Sequence, residues 1–99
     1  MVIFNFNNLK EKIEKRKKWI INREIRRLKI QIKKEIKNDL LYKFNTSTKV
    51  SIAFKSEYND FKYELCDEIL EYFSKNVKYK GISFVLHKTY YPYLEIELQ

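Results

Sequence analysis

The sequence predicts a single α+β domain in which a long basic helix and a second, acidic amphipathic helix pack on one face of a mixed sheet of three or four strands. Residues 8–41 contain no Gly or Pro and keep helical apolar spacing, and residues 57–76 repeat that spacing. Three further runs alternate apolar and polar residues, as strands do. Because 99 residues are too few for two separate cores, we predict one domain over residues 1–99, in the order (β)αβαββ.

The leading helix is predicted over residues 8–41. Asn7 or Asn8 offers an N-cap, and residues 2–6 alternate in apolar side chains, which indicates a possible opening strand. A straight helix of this length spans roughly 50 Å, about twice the length of a seven-residue strand. Either the helix bends near Lys17 and Lys18 or one end projects beyond the sheet; we favour projection, with self-association as the simplest reason. The apolar stripe of the helix is Ile21, Ile25, Leu28, Ile32, Ile36 and Leu40.

Shorter patterns predict the other elements. Residues 48–55 alternate as a half-buried strand does, and residues 57–76 form the second helix, which Ser56 can cap. Gly81 suits a turn after that helix. Residues 82–98 are then predicted as a β-hairpin that turns between Tyr90 and Pro92. The inner face of the second helix is predicted to be Tyr58, Phe61, Leu65, Ile69 and Tyr72.

Charge is distributed unevenly along the chain. The whole sequence has a net charge of +8, but its abundance of Lys, Ile and Asn is typical of an AT-rich genome, so the total alone does not indicate a partner. Residues 1–43 hold ten Lys and four Arg against five acids, a net +9, whereas residues 44–99 hold seven Lys against eight acids, a net −1. This segregation favours a function for the basic helix.

The side of the leading helix opposite its apolar stripe carries the first set of candidate binding residues. Four arginines within residues 16–27 favour recognition of phosphate or carboxylate, because a guanidinium binds either group with two parallel hydrogen bonds. Trp19 could stack on a nucleobase or anchor a protein partner. The structural alternative is a solvated helix face with Trp19 packed on the sheet. The candidates are Arg16, Trp19, Arg23, Arg26, Arg27, Lys33, Lys34 and Lys37.

The hairpin is a second candidate surface, in which Lys88 lies close in sequence to Tyr90 and Tyr91. Interleaved cations and aromatic rings suit single-stranded nucleic acid, although hairpin tyrosines also pack across strands. Residues of the same types nearby are Lys78, Tyr79, Lys80 and Tyr93.

Groups suited to catalysis are few, so we predict a protein that is not an enzyme and needs no cofactor or metal. His87 and Cys66 are the only residues of their types, and no phosphate-binding or nucleophile motif is present. An acidic ladder on the second helix is better suited to pairing with the basic helix than to metal binding, which needs converging carboxylates. A small metal-dependent nuclease is a minor alternative. The ladder is Asp60, Glu64, Asp67 and Glu71.

The predicted order of elements resembles that of the C-terminal domain of bacterial translation initiation factor three and of the archaeal chromatin proteins called Alba. The resemblance covers the whole chain at the level of element order. It implies nucleic-acid binding and, from Alba, a dimer. No site residue is carried over, because no motif is shared, the first helix is longer than in either family, and the Gly-containing loops of those folds are missing.

The single cysteine fits a reducing compartment, and no apolar stretch approaches the roughly 20 residues of a membrane span, so we expect a cytoplasmic location. We expect a homo-oligomeric, non-enzymatic binding module that contacts DNA or RNA through the basic helix. The alternative is a small inhibitor or adaptor, of the kind that phages and mobile elements encode, that docks on an acidic protein surface through the same helix.

Overall fold

The structure, a computed structural model, describes residues 6–99 of the chain. Two helices and a three-stranded sheet account for most of these residues. Helix α1 continues directly into a π-helical segment, and a 3₁₀ segment leads into helix α2. The elements are α1 (Phe6–Glu35), the π-helical segment (Ile36–Tyr42), β1 (Ser47–Ser51), the 3₁₀ segment (Ser56–Phe61), α2 (Lys62–Lys75), a 3₁₀ turn (Val77–Tyr79), β2 (Ile82–His87) and β3 (Tyr93–Leu98).

The sheet has the order β1-β3-β2, and both helices pack on one of its faces, which confirms the predicted α+β class. Both strand pairings are antiparallel, not mixed as predicted. The short hairpin forces β2 and β3 to run in opposite directions, and β1 then pairs with β3 in the same manner. The possible strand over residues 2–6 lies outside the described residues, except for Phe6, which begins α1.

Alternate side chains of the strands form the floor of the core. Val50, Leu94 and Leu86 occupy paired positions across the three strands, and the first two of these are fully buried. The predicted stripe of α1 covers this floor, since Leu28 and Ile32 have no exposed surface. Both helices therefore contribute to one core, as a chain of this size requires.

One end of α1 projects beyond the sheet, as the sequence predicts. The helix is unbroken from Phe6 to Glu35, about 45 Å at 1.5 Å per residue. The described side chains among residues 6–16 are all exposed, and the first buried one is Ile20. The described part of the molecule consequently measures 65 × 28 × 18 Å. Because the described helix already includes Phe6, Asn7 and Asn8 lie inside it, and the predicted N-cap is wrong.

The second helix starts later than predicted and with a partly different inner face. Residues 56–61 form a 3₁₀ segment, in which Ser56 makes no side-chain cap, and α2 proper begins at Lys62. Phe61 lies in this 3₁₀ segment and is 41% exposed, so it does not belong to the inner face as predicted. Within α2, Cys66 and Phe73 lie on the same side as the predicted Leu65 and Ile69 and are buried with them, whereas Tyr72 is only partly buried. Gly81 forms the predicted turn with a φ of 94°, a left-handed conformation that favours glycine.

The reactivity of Cys66 tests this packing. Its side chain is fully buried, and burial raises the pKa of the thiol from its usual 9.0 to about 11. At about pH 8 this lowers the population of thiolate, the reactive form, about a hundredfold. We expect the native protein to resist an aromatic disulfide reagent at that pH, and to react more readily as the pH rises toward the raised pKa. Unfolding in urea should release the thiol, so rapid labelling without urea would contradict the structure.

Candidate functional site

The outward side of α1 is a continuous basic surface. At about 100° per residue, it covers a sector roughly 120° wide on the side opposite Leu28. Every residue in this sector is exposed, and none is acidic. From the first to the last cation it spans about 33 Å. We call this surface the basic face; its cations are Lys12, Lys15, Arg16, Arg23, Arg26, Arg27, Lys33 and Lys34.

Most of these cations have no acidic partner within residues 6–99. Arg27 alone pairs with a carboxylate, that of Glu24. The side chains of Arg26, Lys33 and Lys34 make no hydrogen bond or ion pair with another described residue. The positive charge of the face is therefore not neutralised by the described part of the chain itself.

Arg27 is held by two elements at once. Its Nε and Nη2 donate to the two carboxylate oxygens of Glu24, the latter at 2.9 Å, and Nη2 also donates to the backbone oxygen of Ser51 at 2.7 Å. The hydrogen bond with Glu24 raises the pKa of the guanidinium. Glu24 itself is only 5% exposed and accepts a third hydrogen bond, from the backbone N–H of Ala53.

The strand β1 is shorter than the predicted strand over residues 48–55. Its ladder with β3 ends at Ser51, after which the N–H of Ile52 still donates to the oxygen of Pro92, a residue that has no N–H to return the bond. The oxygen of Ser51 and the N–H of Ala53 face away from β3, and they bind Arg27 and Glu24 of α1. The network therefore holds the end of β1 against α1, and the chain after Ile52 forms one wall of a groove.

A groove of about 510 Å³ lies between the basic face and residues 53–58. This volume is within the range of small-molecule sites. Its walls combine aromatic and aliphatic side chains with cations, and Glu24 is its only acidic member. The lining residues are Trp19, Ile20, Arg23, Glu24, Arg27, Ala53, Phe54, Lys55 and Tyr58.

Two predicted residues combine with partners at this groove. The guanidinium of Arg23 lies 5.4 Å from the ring of Trp19, and that of Arg16 lies 5.9 Å from the ring of Tyr58. A side-chain hydrogen bond with Tyr58 raises the pKa of Arg16. Trp19 is 54% exposed, so it is not packed into the core beneath the helix. These cation–π contacts position both the rings and the charges at the rim.

The structure thus brings Arg16, Trp19, Arg23 and Arg27 together, but it leaves the other predicted lysines of the helix apart. Lys33 and Lys34 continue along the basic face, away from the groove. Lys37 lies in the π-helical segment, where its ammonium is 5.8 Å from the ring of Tyr42. Arg26 lies between the two groups on the exposed side of α1.

The hairpin surface is only partly available. Lys88 forms an ion pair with Asp67 at 2.9 Å, and Tyr79 packs edge-on against Phe73 in the core. In contrast, Tyr90 and Tyr91 are 73% and 78% exposed at the tip of the hairpin. The hairpin lies at the same end of the sheet as the groove, because the backbone of Ile52 pairs with that of Pro92.

The acidic ladder of the second helix is divided among several partners. Glu64 accepts from Lys17 of α1 at 3.2 Å, the one ion pair between the ladder and the leading helix within the described chain. Glu71 pairs with Lys75 on its own helix. Among residues 6–99, no group of three His, Cys, Asp or Glu side chains is placed to hold a metal ion. His87 and Glu95 form a 3.1 Å pair on the open face of the sheet, where Tyr93 stacks on the imidazole.

Sequence reasoning missed half of the groove. Phe54 and Lys55 come from the end of a predicted strand, and Tyr58 comes from a predicted helix that is a 3₁₀ segment here and reaches Arg16 of α1. Glu24 was missed as well, although it could have been recognised: it is an acidic residue on the apolar side of the helix, between Ile21 and Leu28.

No helix among the described residues is long and apolar enough to span a membrane. In comparison with known proteins, the chain matches no protein-family model, no curated protein and no solved structure. The resemblance of element order to the two nucleic-acid-binding families is therefore not supported by a structural match. Evidence on function comes from the residues of the basic face and the groove.

Replacing Glu24 with Ala tests the network under the groove. The change leaves the N–H of Ala53 and the guanidinium of Arg27 without their common acceptor, and hydrogen bonds to a charged group contribute about 1.5–3 kcal/mol each. Since Arg27 is partly exposed to water, we expect a loss of about 2 kcal/mol in the free energy of unfolding, measured by urea denaturation. The exposed Glu11→Ala on the same helix should change it by less than about 0.5 kcal/mol. Equal effects of the two substitutions would contradict a structural role for Glu24.

Proposed function

We propose that the protein binds nucleic acid through the basic face of α1. The single observation that carries this proposal is the row of eight exposed cations, over about 33 Å, with no carboxylate among them. A phosphate backbone is the common biological polyanion of that length, and neutralising its charges releases condensed counterions. Arginines within the row favour phosphate further, because their planar donors match its oxygens.

The distribution of charge supports a specific surface over general solubility. If the lysine content alone determined the charge, acids would be interspersed with bases on every exposed face, as they are on α2. On α2, Lys75 lies beside Glu71, and Lys17 of the leading helix reaches over to Glu64. Apart from Arg27, which pairs with Glu24, the cations of the basic face form no ion pair with a described acid, so they are available to an external anion. Like charges held together in this way are unfavourable unless a ligand relieves their repulsion.

Salt dependence tests the proposal directly. Binding of a labelled oligonucleotide, followed by fluorescence anisotropy, should weaken with salt by about 0.9 log units per phosphate contact per tenfold change for duplex DNA. The double substitution Arg26→Ala and Lys33→Ala should reduce that slope by about 2. The matched control is Lys43→Ala with Lys75→Ala, which removes the same charge from exposed sites outside α1 and the hairpin. Equal losses in the two double variants, or no binding at about 50 mM salt, would refute the proposal.

A second candidate function is binding of a protein, most simply a second copy of this chain. The observation that favours it is the projecting end of α1, where Phe6, Leu9 and Ile13 are 76%, 49% and 42% exposed. Apolar side chains grouped on an exposed surface are typical of protein contacts. The lysines around them would repel in such a dimer, so its stability should increase with salt, in contrast to binding of a polyanion.

Light scattering tests this second candidate. We expect a mass above that of the monomer at high protein concentration, rising with salt, and a return to the monomer for Leu9→Gln with Ile13→Gln. Ile30→Gln is the control, because Ile30 is 75% exposed but lies on the basic face away from the projecting end. A monomer at every concentration and salt level would exclude self-association.

A further inference from the structure

We infer that the groove beside Trp19 binds one unpaired nucleobase, while Arg23 and Lys55 hold the phosphates next to it, so that the protein prefers single-stranded to duplex nucleic acid. This inference rests on the nucleic-acid binding proposed above and assigns it a site. The basic face explains attraction to any polyanion, whereas the groove adds a shaped cavity of about 510 Å³ at the edge of that face.

The walls of the groove suit a flat, apolar group. Trp19, Phe54 and Tyr58 contribute three aromatic side chains from two separate segments of the chain. Stacking of one base on an aromatic side chain contributes about 5- to 150-fold in affinity. Ile20 of α1 also lines the groove, so most of the lining is apolar. Arg23, Arg27 and Lys55 are the cations of the lining.

Glu24 adds a hydrogen-bond acceptor to a lining that otherwise consists of cations and apolar groups. Its carboxylate is paired with Arg27. A carboxylate has about four acceptor positions, and the described chain supplies three donors: two from Arg27 and the N–H of Ala53. An amino or imino group of a base can supply a further donor. The anionic phosphates meanwhile meet the cations at the rim and stay clear of this carboxylate.

Duplex nucleic acid does not present the required group. Bases within a duplex are stacked and paired, and entry of one of them into a protein cavity requires that it first be extruded from the helix. A single strand exposes its bases without that cost, and its flexible backbone can follow the cations of α1. If the groove binds an unpaired base, the protein should bind single-stranded nucleic acid more tightly than duplex, and an experiment can detect this difference.

Trp19 is the only tryptophan of the chain, so its fluorescence reports on the groove itself. A single-stranded DNA decamer should quench this fluorescence as it binds. An abasic decamer with the same number of phosphates should bind at least about fivefold more weakly and cause little quenching. The duplex decamer should resemble the abasic strand, and a poly-glutamate peptide of similar charge should not quench.

Substitutions locate the effect by anisotropy of the labelled decamer. Trp19→Ala should reduce affinity for the normal single strand at least about fivefold and leave the abasic strand unchanged, while Trp19→Phe retains most of the affinity. Tyr58→Ala and Tyr58→Phe provide the same comparison on the opposite wall. Tyr91→Ala tests the competing hairpin surface, and Phe44→Ala is the matched control, because Phe44 is 87% exposed and lies outside both the groove and the hairpin. Circular dichroism verifies that each variant is folded.

The possible failures are distinguishable. If normal and abasic strands bind equally, or if Tyr91→Ala weakens binding and Trp19→Ala does not, the groove is not a base site, although the proposed function stands wherever the salt slope still depends on Arg26 and Lys33. If poly-glutamate quenches Trp19 as well as the decamer does, the groove takes an acidic protein segment and the inference is wrong. If no nucleic acid binds at about 50 mM salt, both the proposed function and the inference are refuted.

Discussion

One buried carboxylate connects the leading helix to the sheet. Glu24 accepts hydrogen bonds from Arg27 and from the backbone of Ala53, while Arg27 also binds the oxygen of Ser51. A carboxylate withdrawn from water is tolerated only where such donors compensate for its lost hydration. The interaction therefore fixes the position of α1 relative to the end of β1. Glu24 and Arg27 both line the groove, so the shape of that cavity depends on their interaction.

The fold divides its charged residues according to the demands of its core. Helix α1 must bury one side against the sheet, and the five acids of the first 43 residues all lie outside the exposed basic sector of the helix. The exposed basic sector of α1 therefore carries only positive charges, and the side chains of Trp19 and Ile30 lie among them. Such a surface attracts anions over a distance of about one Debye length, roughly 8–10 Å at physiological salt. The cations of the basic face would thus attract an anion from a distance, and the neighbouring groove residues would make the close contacts with it.

Periodicity predicted the elements well because burial imposes it: Leu28 and Ile32 of α1 and Leu94 and Ile96 of β3 are all fully buried where their patterns place them. It failed where side chains or tight turns intervene. The last hydrogen bond of β1 is the one from Ile52 to Pro92, which has no N–H to return it, and the 3₁₀ segment before α2 has no distinct sequence signal. For the same reason the arginines of the candidate site could be identified from sequence, whereas Phe54, Lys55 and Tyr58 needed three-dimensional contacts.

The projecting helix also affects how the molecule moves through solution. The molecule has a radius of gyration of 16.4 Å, whereas a compact globular protein of this length has a radius of gyration of about 13 Å. An elongated particle experiences more friction than a sphere of equal mass, so a lone 12.3 kDa chain elutes early from a sizing column and sediments slowly. The hydrodynamic radius of this elongated monomer would then resemble that of a compact dimer. Only a mass measurement that does not depend on shape distinguishes the two.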